Sequence, residues 1–441
     1  MTNKKNKQVI KKEQKITVDY IVKVISKIML DLDLTIDKVN VSKLTDTDGR
    51  LTDWELRKFG GLSSIKKSHF PTEKNLDVIH QQKGINKYIQ TLEDKVGELE
   101  YLSKQIGDAI SKNIKPVKVK SYKRREKIRK SDIKTDMVAM LNDLHIGLIV
   151  DPKEVNYLNT FNFEIASRRI AFFIDEVCNF KKYKRDSVGK LHLILNGDLI
   201  GGIIHGLLGR DYELLTHQFN GAVHIFVHAI ARLSEEYPEV VVYLSTGNHG
   251  ELPSRREGGH RVISQVYDSI EGQIFYAVSA AHKNTKNVSF VASHGLYQDV
   301  ELPAGRAVAC HGHIMLSKAL GNPGKTINSK ALSVAVTDLN NSEIRQKRDP
   351  IKLILLGHTH CHFHMTTGDG VQIYNAPSLS GIDSFAYSIG INHNLTGQLM
   401  FESTEKHVFG DSRLLKVQEA DNDSKYDKII PPYTHDLVYK G

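Results

Sequence analysis

The sequence predicts an α/β body that follows a smaller helical region. From about residue 136, short and strongly apolar runs alternate with longer amphipathic segments, as buried strands separated by helices do. Residues 17–70 carry short helical patterns instead. The chain has 441 residues, too many for one ordinary core, so we expect two domains or one large domain with an extension.

The composition is that of a globular protein, with 40% hydrophobic and 25% charged residues. No apolar run approaches the roughly 20 residues needed to span a bilayer, and the basic N-terminus leads into no apolar signal region. Cys178, Cys310 and Cys361 form no C-x-x-C pair, which excludes a cysteine zinc finger and suits a reducing compartment. We therefore expect a cytoplasmic protein without membrane contact.

Positive charge is concentrated in the N-terminal part of the chain. Residues 1–135 hold 31 Lys and Arg against 18 Asp and Glu, a net charge of +13. The remainder holds 29 against 33, a net charge of −4. This distribution is typical of a basic arm for a polyanion joined to a separate body. A solubilising leader without a ligand has the same composition, so that alternative stays open.

The first 75 residues predict a small basic helical domain. "TVDYIVKVISKIML" has apolar residues at helical spacing, and Thr52 and Glu55 form a capping box that opens another helix. "WELRKFGGLSSIKKSHF" then predicts a short helix, a glycine break and a second basic helix, the rhythm of a helix-turn-helix. Its "WELRKFGG" run resembles the small helical repeats that accompany homing endonucleases, which implies that residues 1–75 bind DNA.

Residues 76–135 predict a helical linker. Apolar residues recur over 85–106 at mostly alternating spacings of 4 and 3, which is a short heptad seam. The seam predicts either a coiled coil that makes a homodimer or a helix that packs on its own domain. "KNIKPVKVKSYKRREKIRKSDIK" follows, and it is either a nucleic-acid patch or a solvated linker.

Five apolar runs of the body end in polar, glycine-containing turns. The residues that follow the runs, in chain order, are Asp143 and His145, then Asp198, then Asn248 and His249, then His311, and finally His358 and His360. Open α/β sheets bind ligands beyond the carboxyl ends of their strands, so all five groups can converge on one crevice. Carboxylates and neutral imidazoles are metal ligands, so the crevice is predicted to bind metal.

In this order the five groups resemble the calcineurin-like metallophosphoesterases, whose pattern is D-x-H, G-D, G-N-H-(D/E), H and G-H-x-H. The resemblance covers roughly residues 136–400 and implies a four-layer α/β/β/α sandwich, which we place at 136–415 with a tail at 416–441. "GVQIYNAPSLSGIDSFAYSIG" resembles the closing strand and loop of viral-type members, which implies the host cytoplasm if a phage encodes the chain.

The resemblance implies two divalent metal ions and a general acid. The first ion would bind Asp143, His145, Asp198 and His360, and the second Asp198, Asn248, His311 and His358. Asp198 would bridge both ions, because a carboxylate has two oxygens. Mixed nitrogen and oxygen ligands favour Mn²⁺, with Fe or Zn²⁺ as alternatives, over Ca²⁺. His249 would protonate the leaving oxygen, while His362 and His364 lie beyond the motif as polar strand residues.

Several assignments stay open in the sequence. The fourth motif can be His294 or His311; we favour His311, because a strand–loop–strand interpretation places a hairpin connection after His294. His313 stands where the pattern leads us to expect aspartate, and contact with a ligand residue is one role for it. Arg255 and His205 are candidates for binding substrate phosphate, although either can be an exposed loop residue.

The predicted function is two-metal hydrolysis of phosphodiester bonds in DNA. One alternative is a phosphatase or cyclic-nucleotide phosphodiesterase that acts on small substrates. Another is a DNA-binding protein that uses the fold as a scaffold without catalysis. The intact set of ligand residue types together with His249 argues against the scaffold, because only catalysis requires the acid as well as the ligands.

Overall fold

The computed structural model describes residues 16–47, 51–69, 116–122, 135–183, 188–202, 211–251, 269–293, 295–320, 327–390 and 395–433. The chain divides into two compact units, Met1–Leu102 and Ser103–Gly441. Within the described ranges, no helix combines the length and the apolar character that crossing a membrane requires. The predicted heptad seam at 85–106, and the homodimer that depends on it, lie outside the described residues.

The described part of the N-terminal unit contains four short α-helices around a core of its own. They are α1 (Val18–Asp31), α2 (Val41–Thr47), α3 (Asp53–Arg57) and α4 (Gly61–His69). The hydroxyl of Thr17 caps α1 by accepting a hydrogen bond from the Tyr20 amide at 3.2 Å. Apolar residues at helical spacing meet in the core, which includes Ile21, Ile25, Ile28, Leu44, Leu51, Leu56 and Ile65.

The helical pattern predicted for this unit is confirmed. A helix begins directly after Thr52, and the break between α3 and α4 ends with Gly60 and with Gly61, the first residue of α4, whose φ values are +86° and +82°. Only glycine adopts such angles without strain. DNA binding by this unit stays a prediction.

The first sheet of the second unit is mostly parallel. Its strands are β1 (Thr135–Leu141), β2 (Val188–Asn196), β3 (Val240–Ser245) and β4 (Val288–Ala292), with β10 (Gln398–Thr404) and β11 (Ser412–Leu415) beyond β1. The order of the six described strands is β11-β10-β1-β2-β3-β4. Three described helices cover one face: α5 (Phe163–Tyr183), α6 (Leu215–Glu236) and α7 (Ile270–Ala281).

The second sheet holds five described strands in the order β5-β6-β7-β9-β8. They are β5 (Gln298–Leu302), β6 (Gly305–Ala309), β7 (Ile351–Leu356), β8 (Phe363–Thr366) and β9 (Gln372–Asn375). The helices α8 (Ser317–Leu320) and α9 (Ser329–Arg345) pack on its outer face, and α10 (Ser384–Ser388) follows β9.

The hairpin that we predicted after His294 is wrong. β4 belongs to the first sheet and β5 to the second, so the chain crosses between the sheets there. The hairpin instead joins β5 to β6, where Gly305 has a φ of +132° that permits the tight turn.

The predicted four-layer α/β/β/α sandwich is confirmed. Side chains of β1 alternate between two cores: Met137 and Ala139 pack towards the helices, whereas Val138 and Met140 face the second sheet. Because both faces are buried, β1 is a nearly continuous apolar run. The inter-sheet core also contains Ile194, Tyr243, Ala307, Leu353, Leu355 and Phe401.

Residues 416–433, which we separated as a tail, pack into the core of the second unit. Val417, Ala420, Tyr426 and Ile430 are buried against the helical layer. Asp421 accepts hydrogen bonds from two nitrogens of the buried Arg169 guanidinium, at 2.7 and 2.8 Å.

Candidate metal centre

The loops that follow β1, β2, β3, β6 and β7, which we call the five strand exits, converge, although their strands come from two sheets. β1, β2 and β3 are neighbours in the first sheet, and β6 and β7 are neighbours in the second. Backbone hydrogen bonds link the exits of β1 and β2. The Asp143 amide donates to the carbonyl oxygen of Gly197 at 3.1 Å, and the His145 amide donates to the backbone carbonyl oxygen of Asp198 at 2.9 Å. The cleft therefore lies where the parallel strands of both sheets end.

The backbone at these exits is strained. Nine described non-glycine residues have a positive φ, and five of them are predicted metal ligands: Asp143, His145, Asp198, His358 and His360, with values from 46° to 70°. This left-handed conformation costs of order 1–3 kcal/mol for a residue with a Cβ and persists where surrounding contacts enforce it. Such strain clusters at functional sites, and here it turns successive polar side chains towards one point.

Asp143, His145 and His360 form the first group of potential ligands. The Nε2 atoms of His145 and His360 lie 3.1 Å apart, and His360 Nε2 lies 3.5 Å from Asp143 Oδ1. The His358 amide donates to the Asp143 carboxylate at 3.0 and 3.1 Å, which joins the first strand exit to the fifth.

Asp198, His311 and His358 form the second group of potential ligands. His311 Nε2 lies 3.0 Å from Asp198 Oδ2 and 3.9 Å from Asp143 Oδ1. The Nδ1 atom of His311 lies 3.0 Å from the carbonyl oxygen of Asn196. A hydrogen bond from Nδ1 to that carbonyl orients the ring, so that Nε2 faces the two carboxylates.

The third strand exit contributes Asn248 and His249. The His249 amide donates to Asp198 Oδ1 at 2.9 Å, so Asp198 is held by the loop after β3. His249 Nδ1 lies 2.7 Å from the carbonyl oxygen of Gly201, and Nε2 lies 3.9 Å from Asp198 Oδ2. This arrangement turns Nε2 of His249 towards the cleft.

Opposing charges in the centre shift pKa values strongly. Burial works against ionisation of Asp143 and Asp198, but His311 and the other histidines of the centre together outweigh it and hold both pKa values below their ordinary range. Burial would lower the pKa of His311, yet the two carboxylates raise it to about 10. Burial lowers the pKa of His145, and that of His358 to about 3, so both rings are neutral at physiological pH.

The donor set fits divalent cations. Oδ1 of Asn248 is buried and has no hydrogen-bond partner among the described residues, although buried polar atoms nearly always have one. Two carboxylates and two neutral imidazoles face the same space, and such nitrogen and oxygen donors suit Mn²⁺, Fe or Zn²⁺. That these residues bind metal stays a prediction, and so does the identity of the metal.

Of the other residues singled out in the sequence, some lie outside the described part of the chain and the rest have defined contacts. Arg255, His205 and the alternative ligand His294 lie outside the described residues. His313 Nε2 lies 3.1 Å from Glu251 Oε1, so the loop after β6 is joined to the loop after β3. His362 and His364 lie away from both ligand groups, beside Tyr374.

The structure shows two contributors that the sequence interpretation missed. Glu271, in the first turn of α7, is fully buried and accepts hydrogen bonds from the Leu199 and Gly247 amides. Gln218, in α6, accepts from the Gly202 amide and donates to the Gly202 carbonyl oxygen. The sequence contains one sign of the role of Glu271: Gly250 stands where the G-N-H-(D/E) pattern has an acidic residue.

No family model and no curated protein sequence matches this chain. Among solved structures, the chain is similar to a dimetal phosphatase from Danio rerio, with 10% identity and a TM-score of 0.30, over 64% of this chain and 99% of that one. It is also similar to the phosphopantetheinyl hydrolase PptH from Mycobacterium tuberculosis, with 10% identity and a TM-score of 0.24, over 56% and 91%. At these TM-scores neither likeness adds to the case made by the site itself.

Proposed function

We propose that this protein is a phosphoester hydrolase that works with two divalent metal ions. The observation that carries the proposal is the convergence of two buried carboxylates, Asp143 and Asp198, with imidazoles from three strand exits. Two ions held in this way would clamp a phosphate, activate a water molecule and neutralise charge during in-line displacement. We assign the ions to the two ligand sets expected from the sequence, with Asp198 shared by both.

His249 is the proposed general acid. Its Nδ1 is directed at the Gly201 carbonyl oxygen, which fixes the ring so that Nε2 faces the cleft. A proton carried on Nε2 can be donated to the leaving oxygen as the phosphoester bond breaks. The His249 amide also donates a hydrogen bond to Asp198 Oδ1, so the loop of the proposed acid is joined to the loop of the proposed bridging carboxylate.

DNA is the proposed substrate, and the support is the distribution of charge. The net charge of +13 over residues 1–135 provides cations for a polyanion, whereas the rest of the chain is net negative. In the N-terminal unit, Trp54 is 65% exposed and Lys58 Nζ lies 3.5 Å from the centroid of its ring. An exposed aromatic ring beside basic residues suits contact with nucleic acid.

The experiment for the metal-dependent reaction compares wild type with Asp198→Asn. Each protein is incubated with Mn²⁺ and either linear duplex DNA, single-stranded DNA or bis-p-nitrophenyl phosphate, and bound metal is counted by elemental analysis. A neutral amide bridges two cations poorly, so the variant should lose most bound metal and nearly all hydrolysis. A variant that keeps two metals per chain and wild-type turnover would show the two-metal proposal to be wrong.

The experiment for the DNA substrate removes the N-terminal unit. The deletion ends at residue 102, because the Val117 amide donates to the Ala281 carbonyl oxygen at 3.0 Å and belongs with the second unit. It removes a net charge of only +4, so a second variant combines it with glutamine at the six Lys and Arg of residues 123–130, within the segment 103–135 that carries the other +9. Log Kd for DNA should depend less on log salt after the deletion, since each phosphate contact contributes a slope of about 0.9. Hydrolysis of the small diester should be retained. Equal affinities and equal slopes would favour the alternative, a phosphatase or cyclic-nucleotide phosphodiesterase that acts on small substrates.

A further inference from the structure

Glu271 is a buried carboxylate whose two oxygens bind two different loops of the candidate centre. Oε1 accepts a hydrogen bond from the Leu199 amide at 2.6 Å, and Oε2 accepts one from the Gly247 amide at 2.7 Å. Leu199 directly follows Asp198, and Gly247 directly precedes Asn248. One side chain on α7 therefore connects the exit of β2 to the exit of β3.

The space for this side chain exists because residue 250 is glycine. A Cβ placed on Gly250 would lie 2.5 Å from Cγ and 2.9 Å from Cδ of Glu271, closer than real Cβ contacts come. The Gly250 carbonyl oxygen accepts a hydrogen bond from the Ile270 amide at 2.9 Å, so this loop already touches the start of α7. The backbone of Gly250 does not adopt a left-handed φ, so space alone excludes a side chain.

We propose that Glu271 is a positioning residue of the metal centre: it sets the separation between the loop of Asp198 and the loop of Asn248, and it occupies the volume that a side chain at position 250 would need. The inference rests on the proposed metal-dependent function. The two loops carry the shared carboxylate and the amide ligand of the second ion, so their separation decides whether both can bind one cation.

A carboxylate is suited to this task for a chemical reason. It offers two acceptor atoms and no donor, whereas an amide of the same shape offers one acceptor and one donor group. Glu271→Gln would turn an NH₂ group towards a backbone N–H and leave that buried donor without an acceptor. The isosteric variant therefore tests the paired acceptors without changing the packing.

The experiment moves the carboxylate from α7 to the loop. Five proteins are compared with wild type: Glu271→Gln, Glu271→Ala, Gly250→Asp, Gly250→Asp with Glu271→Ala, and Gly250→Ala with Glu271→Ala. The first double variant places a carboxylate near the position of the Glu271 carboxylate, but attaches it to the loop after β3 instead of to α7. The second double variant is the matched control, because it fills part of the space with a methyl group and restores no acceptor. Mn²⁺ affinity is measured by titration calorimetry, hydrolysis of bis-p-nitrophenyl phosphate by initial rates, and folding by circular dichroism.

We expect Glu271→Gln and Glu271→Ala to weaken Mn²⁺ binding by about 10- to 100-fold, the usual effect of losing a residue that orients metal ligands. Gly250→Asp alone should be impaired by its overlap with Glu271. Gly250→Asp with Glu271→Ala should recover most of the affinity, whereas the control double variant should not.

Two results would overturn the inference while leaving the proposed function intact. One is Mn²⁺ affinity and turnover of Glu271→Gln equal to wild type. The other is recovery in both double variants alike, which would mean that Glu271 only fills space. If wild type itself binds no Mn²⁺ and hydrolyses no diester, the proposed function fails, and the inference that rests on it fails as well.

Discussion

Gly247 allows two loops of the candidate centre to approach more closely than a residue with a side chain would. A Cβ placed on Gly247 would lie less than 3.0 Å from Oδ1, Cγ and the backbone nitrogen of Asp198, whereas ordinary van der Waals contact begins at 3.4 Å. Gly247 does not adopt a left-handed φ. The overlap with Asp198 is therefore the main cost of Gly247→Ala.

The distances set a lower bound on the displacement. A Cβ on Gly247 would lie 2.8 Å from Cγ of Asp198 and closer still to Oδ1 and the backbone nitrogen, so restoring the 3.4 Å of ordinary contact requires Asp198 and Gly247 to separate by at least 0.6 Å. Functional groups must be held within about 0.5 Å of their productive positions, and a misplacement of about 1 Å costs on the order of 10²-fold in rate. We therefore expect Gly247→Ala to lower kcat for a small diester by about 10- to 100-fold.

The assay is the initial rate of bis-p-nitrophenyl phosphate hydrolysis with Mn²⁺, together with thermal unfolding. Gly368→Ala, in the turn between β8 and β9, is the matched control, because a Cβ there meets nothing within 4 Å and its φ is not left-handed. The control should stay within about twofold of wild type, as surface substitutions do. A Gly247→Ala protein that turns over as fast as the control would refute the close-approach argument.

Three further predictions concern other buried groups. His249→Ala should keep its bound metal but lower kcat by about 10²–10⁴-fold; loss of metal in elemental analysis would instead make His249 a ligand. Burial lowers the pKa of His282 from 6.5 to about 4, so the unfolded chain takes up this proton first as the pH falls. Above about pH 6.5, His282 is neutral in both states and does not change the free energy of unfolding. As the pH falls towards 4, protonation of the unfolded state lowers that free energy by up to about 3 kcal/mol. His282→Gln should reduce that loss in urea titrations, and identical pH dependence would contradict the shift. Arg169→Met should cost about 3–5 kcal/mol of unfolding free energy by leaving Asp421 without its buried partner, and a loss below about 1 kcal/mol in urea would show that the pair contributes little.

The sequence alone determined the strands and the polar residues that follow them. Each of the five apolar runs is a strand, because a segment buried on both faces needs apolar side chains throughout, and that requirement is visible locally. The short helices around Thr52 and the glycine pair were predictable for the same reason, since caps and breaks act over a few residues. The order of the polar turns predicted which side chains would meet.

Only the tertiary structure decided how the five exits are shared between two sheets, and which distant groups support them. Nothing in the spacing of β4 and β5 records that the chain changes sheet between them. Glu271 follows Asp198 by many residues, and its two amide partners are backbone atoms that have no signature in a sequence.

The C-terminal segment shows the same limit at longer range. Arg169 binds Asp421 and donates to the Leu379 carbonyl oxygen at 2.8 Å, and the Leu379 amide donates to the carbonyl oxygen of Asp143 at 3.1 Å. A segment that we separated as a tail is thus connected to the backbone of a predicted metal ligand. The physical reason is that local pattern fixes which faces are buried, whereas the pairing of buried polar groups is decided by where the packed layers bring them.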